Sequence, residues 1–263
     1  MKRPIRARRL VWTAICAALL WLGDGVSCQV AQAEDLTVSA ASSLTNAFNE
    51  IAKAFEQVHP GTKVLLNFGA SGQLLQQIAR GAPVDVFASA DEETMDRAQQ
   101  QSLVVSDSRA TFAANKLVLI VPADSPLQLS GLADLAGAKV RRIALGNPDS
   151  VPVGHYAKDA LTAAGLWDKL SNKIIYTQNV RQSLDYVSRG EVDAGFVYLT
   201  DVATAARKVR SAMQVPSHQA VLYPIAVVRG SRDERRAADF IAFVRSKKGH
   251  SILDKYGFSN PSD

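Results

Sequence analysis

The stretch LTVSAASSLTNAFNEIAKAFEQVHPGTKVLLNFGASG, residues 36–72, decides the fold. It opens on a short apolar run, residues 36–40, that reads as a strand. Leu44, Phe48, Ile51, Phe55 and Val58 then recur at the spacing of one helix face, until Pro60-Gly61 ends the pattern. A second strand follows at once over residues 64–68, then a turn over residues 69–72, then a helix face of Leu74, Leu75, Ile78 and Ala79, with Gly81 as its stop. Residues 84–88 form a third strand, and Ser89 and Glu92 have capping-box spacing for the helix that carries Met95. Strand and helix alternating in this way predict a mainly parallel sheet with helices on both faces.

Working outward toward the C-terminus, the pattern restarts after Lys116 with the buried run LVLIV, residues 117–121, and a turn over residues 122–126. Strands are expected at residues 140–145, 173–176 and 194–198, each followed by a helix pattern. Residues 221–228, VLYPIAVV, return the chain to the first half, and helices over residues 231–246 and 248–256 close it. The expected architecture is α/β with two lobes, residues 34–114 plus 221–263 and residues 115–220. Each lobe is a mainly parallel sheet flanked by helices, and a ligand cleft lies between them at the carboxyl ends of the strands.

Toward the N-terminus the reading changes. Lys2, Arg3, Arg6, Arg8 and Arg9 form a basic head, the apolar run VWTAICAALLWL occupies residues 11–22, and Ala31-Gln32-Ala33 has the form of a cleavage site. Residues 1–33 are therefore expected to be a signal peptide, and the run of 12 is well short of the roughly 20 residues that span a bilayer. A lipid anchor at Cys28 is the rival reading, opposed by Gly25 at the position where such a site carries leucine. Of 30 Lys+Arg five lie in this segment, and of 25 Asp+Glu only Asp24 does, so the remaining 230 residues carry a net charge of +1. A nucleic-acid partner loses its electrostatic support at that value. Both cysteines, Cys16 and Cys28, belong to the same segment, which leaves the exported chain without disulfides or thiolate metal sites.

No phosphate-binding P-loop, dinucleotide fingerprint, H-E-x-x-H or C-x-x-C occurs. Gly69-Ala70-Ser71-Gly72 is close to the nucleophile elbow of a serine hydrolase, but Gln73 stands where G-x-S-x-G needs glycine. A secreted esterase using Ser71 is thus the enzyme alternative. His59, His155, His218 and His250 are scattered among polar neighbours and read as surface or loop residues. What remains are turns suited to an anion. At a strand-to-helix turn the first amides lack intrahelical partners and carry the positive end of the helix dipole. Ser42-Ser43 and Ser71-Gly72 offer hydroxyls beside such amides, although a serine at a helix start is by itself most simply an N-cap.

The segments AASSLTNA (residues 40–47), NFGASGQL (67–74), GAPVDVFASAD (81–91), SVPVGHYAK (150–158), NVRQSL (179–184), AGFVYLTD (194–201), YPIAVV (223–228) and KYGF (255–258) resemble, in order, the periplasmic molybdate-binding proteins of molybdate ABC transporters. The resemblance implies the periplasmic binding-protein fold and a bound dianion, molybdate or tungstate, with sulfate or thiosulfate as the runner-up ligand. It implies no cofactor, a periplasmic location, a monomer, and an ABC permease in the inner membrane as partner. Carried over by position, the ligand contacts fall on the hydroxyls and amides of Ser43 and Ser71, the amides of Val153 and Val180, and the phenol of Tyr198. Metal would enter only as the centre of the oxyanion, with no direct ligand from the protein. Val153 departs from the family, which often has alanine there, and its extra methyl groups would narrow the pocket.

Overall fold

The computed structural model describes residues 34–216 and 219–261. Residues 1–33, on which the signal-peptide reading and the Cys28 anchor reading fall, and His218 lie outside them. The first lobe is built by β1 (Glu34–Ala41), α1 (Thr45–Val58), β2 (Thr62–Gly69), α2 (Ser71–Ala79), β3 (Val86–Ala88), α3 (Glu92–Gln100) and β4 (Ala110–Asn115). The chain then crosses into the second lobe with β5 (Leu117–Pro122). There it lays down β6 (Ile143–Gly146), α4 (Pro152–Ala163), α5 (Trp167–Leu170), β7 (Ile174–Thr177), α6 (Val180–Ser188), β8 (Ala194–Tyr198), α7 (Leu199–Thr204) and β9 (Val209–Gln214). It returns with β10 (Val221–Val227) and ends in α8 (Glu234–Val244) and α9 (Lys247–Lys255).

The strands form two five-stranded sheets in the orders β2-β1-β3-β10-β4 and β7-β6-β8-β5-β9. In the first, β1 runs parallel to β2 and β3, and β10 is antiparallel to both β3 and β4. In the second, β6 runs parallel to β7 and β8, and β5 is antiparallel to both β8 and β9. Each sheet is therefore mainly parallel, with a single reversed strand. The two reversed strands are the ones that follow the crossings, β5 after β4 and β10 after β9. The lobes thus share one topology and exchange one strand each, a relationship that leaves no repeat in the sequence because buried positions need only be apolar, not identical.

The core follows the predicted faces. Phe48, Ile51 and Phe55 of α1 are wholly buried, and the Phe240 ring of α8 meets Phe55 at 5.2 Å and Phe48 at 6.1 Å. Val58 departs from the expected face and is 60% exposed. The His59 ring stacks on Phe55 at 4.0 Å instead, and Gly61, at φ +88°, turns the chain into β2.

Other boundaries moved for identifiable reasons. Asp91, not Ser89, is the N-cap residue of α3; the Ser89 hydroxyl donates to Asp91 Oδ1 at 2.8 Å, and Glu92 accepts from Arg109 and Thr111. The strand expected from residue 140 begins at Ile143, because the amides of Arg141 and Arg142 donate to the Asp193 carboxylate at 2.7 and 2.9 Å. The third strand starts at Val86 rather than residue 84, and α8 starts at Glu234, where the Asp233 side chain accepts from the Arg236 amide. Strands β4 and β9 were not anticipated: β4 ends one residue before β5 and merges with its apolar run, and β9 is a polar edge strand.

Candidate functional site

Equivalent positions of the two lobes face one another. Ser43 follows β1, Ser71 follows β2 and Ala90 follows β3; Val153 follows β6, Val180 follows β7, and Tyr198 ends β8. All six line one cavity with Ala41, Ser42, Gly69, Ala70, Val151 and Pro152. The five residues singled out from the sequence are therefore brought together. The space between the lining atoms is ≈ 190 Å³. The enclosed space is small, with room for a few heavy atoms only. No charged residue and no histidine is among its lining. A wider groove of ≈ 1,120 Å³ beside α6 and α7 contains none of the five residues and is open to solvent.

The serines do not cap their helices. Ser71 is the first residue of α2, whose N-cap position is Ala70, and its Oγ accepts the Ala90 amide at 3.0 Å. Ser43 lies in a 3-10 turn, residues 42–44, ahead of α1, and its Oγ pairs with the Tyr223 hydroxyl at 3.0 Å. Val153 and Val180 occupy the first turns of α4 and α6. Amides in that position have no intrahelical acceptor and point out along the helix axis. The first turns of α2, α4 and α6 therefore aim partial positive charge at the same small space.

Tyr198 is buried, and its hydroxyl donates to the Ala90 carbonyl at 3.5 Å. Burial holds the phenol's pKa well above its ordinary value, so the group stays protonated and able to donate. Just behind it, Asp201 Oδ2 accepts the Tyr198 amide at 3.1 Å, and Oδ1 lies 3.0 Å from Arg181 Nε. That contact is an ion pair without hydrogen-bond alignment, since both atoms lack a hydrogen-bond partner. Burial raises the Asp201 pKa to about 6, with Arg181 and the Tyr198 amide pulling the other way.

Contacts between the lobes ring the cavity. The Gly72 amide donates to the Ser150 carbonyl at 3.0 Å and Arg181 Nη2 to the Ser43 carbonyl at 3.2 Å, and at the crossing between the lobes Asn115 Nδ2 donates to Thr200 Oγ1 at 2.9 Å. His155, expected to be an ordinary surface residue, pairs with Glu93 at 2.8 Å and with Asp159 at 3.4 Å. Ala90, Arg181, Asn115 and Tyr223 were missed as contributors. Each except Asn115 lies in a segment singled out from the sequence, but an alanine amide or a residue remote in the chain carries no signal of its own.

Two lobes of one topology, joined by exchanged strands and closed over a small uncharged cavity at their facing strand ends, define a two-lobed solute-binding protein. The chain belongs to the bacterial extracellular solute-binding proteins, the family that it matches over residues 36–259. It is 38% identical over 234 residues to the molybdate-binding protein of Escherichia coli K12, covering 85% of this chain and 88% of that protein. It is 36% identical over 226 residues to a putative ABC transporter substrate-binding lipoprotein of Bacillus subtilis, covering 85% of this chain and 86% of that protein. The periplasmic molybdate-binding protein of Azotobacter vinelandii superposes with a TM-score of 0.76 at 28% identity, covering 86% of this chain and 99% of that structure.

Proposed function

We propose that this protein captures molybdate, and tungstate with it, outside the cytoplasmic membrane and delivers the anion to an ABC-type importer. The observation that carries the reading is the uncharged, donor-lined cavity of ≈ 190 Å³ where Ser43, Ser71, Val153, Val180 and Tyr198 meet. A fully ionised tetrahedral oxyanion only accepts hydrogen bonds, so converging hydroxyls and helix-start amides replace its water shell. Each donor to a charged ligand contributes about 1.5–3 kcal/mol, and the hydroxyls and amides of these five residues together stand in for a neutralising cation. The names of the relatives from E. coli and A. vinelandii support the ligand, and that of the B. subtilis relative supports the importer.

In this reading residues 1–33 direct export to the periplasm, residues 34–114 and 221–263 act as one lobe, and residues 115–220 act as the other. The anion docks on one lobe and the second closes over it, excluding water. The protein works as a monomer without a cofactor and catalyses no reaction. Against the esterase alternative, the Ser71 Oγ is engaged by the Ala90 amide and no histidine lines the cavity. Among the described residues no helix is long and apolar enough to cross a membrane, and no three side chains are grouped to hold a metal ion. Calorimetry of the protein lacking residues 1–33 against molybdate, tungstate, sulfate and phosphate tests the proposal. Tight binding of the first two is expected, and absence of heat with molybdate overturns it.

A further inference from the structure

The hydroxyl of Ser43 can serve a ligand either as donor or as acceptor, and the residues behind it decide which. Asn115, at the end of β4, accepts the Lys116 amide on Oδ1 at 2.9 Å. Because an amide N–H only donates, that bond fixes which end of the Asn115 side chain is the oxygen. Its Nδ2 therefore turns to Thr200 Oγ1 at 2.9 Å and to the Tyr223 hydroxyl at 3.3 Å. Tyr223 is wholly buried and receives a hydrogen bond from Asn115, so its own proton needs an acceptor, and Ser43 Oγ at 3.0 Å is the one in reach. Reversing the Ser43–Tyr223 bond would strand the Tyr223 proton in the core without an acceptor, which is unfavourable. The relay thus runs from Asn115 to Tyr223 to Ser43, and the Ser43 proton is left for the cavity. Ser71 is treated the same way by a different device, since the Ala90 amide can only donate to its Oγ.

We propose that Tyr223 and Asn115 are specificity-determining positioning residues, which take up one of the two lone pairs of Ser43 Oγ and so orient its hydroxyl with the proton, rather than an acceptor, toward the ligand. The proposal rests on the oxyanion reading above and deepens it. A site of this kind favours oxyanions without a proton over those that keep one, because an incoming O–H meets the Ser43 proton rather than an oriented acceptor.

Sulfate and hydrogenphosphate, dianions of similar size at pH 8 that differ by one proton, separate this effect from pocket volume. The measurement is their displacement of bound molybdate from wild type, Tyr223→Phe, Ser43→Ala and the double variant, with thermal melting as the check on folding. Tyr223→Phe releases the Ser43 hydroxyl to rotate and turn a lone pair to the cavity, and the preference for sulfate over hydrogenphosphate is expected to fall at least fivefold, while molybdate affinity falls less than tenfold. In the Ser43→Ala background the same change is expected to alter the preference less than twofold, which a merely structural tyrosine would not predict. Asn115→Ala, which releases Tyr223 to accept from Ser43, shifts the preference in the same direction and serves if Tyr223→Phe does not fold. Equal weakening of all three anions, an undiminished effect without the Ser43 hydroxyl, or failure of hydrogenphosphate to displace molybdate from Tyr223→Phe at any concentration overturns the proposal. A wild-type protein that binds no molybdate sinks the functional reading instead.

Discussion

The amide of Gly72 donates to the carbonyl of Ser150 at 3.0 Å, tying the first turn of α2 in one lobe to the loop before α4 in the other. A Cβ on Gly72 would stand 2.8 Å from that oxygen and 2.9 Å from the Ser150 Cα, closer than carbon packs against backbone. Alanine is otherwise favoured over glycine in a helix by up to about 1 kcal/mol, so Gly72→Ala harms only the closed arrangement of the lobes. The variant is expected to melt at or above the wild-type temperature yet bind molybdate at least tenfold more weakly. Calorimetry and the radius of gyration with and without ligand check this; unchanged affinity would mean that the approach of Gly72 to Ser150 does not limit closure.

Removing both serine hydroxyls tests the site directly. Each donor to a charged ligand contributes about 1.5–3 kcal/mol, and each factor of ten in affinity corresponds to about 1.4 kcal/mol. Ser43→Ala combined with Ser71→Ala should therefore weaken molybdate binding at least tenfold. Titration calorimetry at constant salt is the measurement, and equal affinity would remove both residues from the shell.

The Arg181–Asp201 pair carries a pH prediction. Asp201 is wholly buried, and its pKa is raised to about 6. An acid whose folded pKa lies above its unfolded value binds its proton more tightly in the native state. Its contribution to stability is therefore largest at low pH and declines as pH rises from about 4 through about 6, by at most roughly 3 kcal/mol. Denaturant unfolding of Asp201→Asn should show a flatter stability profile than wild type across that window. Identical profiles would place the titration elsewhere.

At neutral pH the same pair is expected to be costly to break. Arg181→Met leaves a buried carboxylate without its partner and should destabilise the protein by about 3–5 kcal/mol. It also removes the bond from Arg181 to the Ser43 carbonyl. A second change, Asp201→Asn, in the same chain should recover most of the stability but not that contact between the lobes, so melting temperature rises more than ligand affinity does.

Phe240 anchors the C-terminal helices through its contacts with Phe48 and Phe55 of α1. Truncation to alanine in a fully buried aromatic cluster costs about 3–5 kcal/mol. Phe240→Ala should lower the unfolding midpoint accordingly while leaving the ligand affinity of the folded fraction close to wild type, since no atom of Phe240 lines the cavity.

The sequence by itself determined the alternation of strand and helix and the placement of a turn at each strand end. Both are local: a run such as residues 36–40 and a face such as Phe48, Ile51 and Phe55 bury apolar area only as strand and helix. It also singled out Ser43 and Ser71 as hydroxyls at helix starts suited to an anion, and Val153, Val180 and Tyr198 only through a resemblance of wording. Only the tertiary structure decided what those residues do not do, and which partners constrain them. Whether Ser71 caps α2 or bonds to Ala90 depends on an amide 19 residues away, and the Ser43 hydroxyl answers to Tyr223, 180 residues on. The placing of residues 117–121 in one lobe and 221–228 in the other was legible, but the antiparallel setting of β5 and β10 and the edge strand β9 were hidden. Hydrogen-bond direction and strand pairing are set by distance and angle between groups remote in the chain, and neither leaves a periodic trace along it.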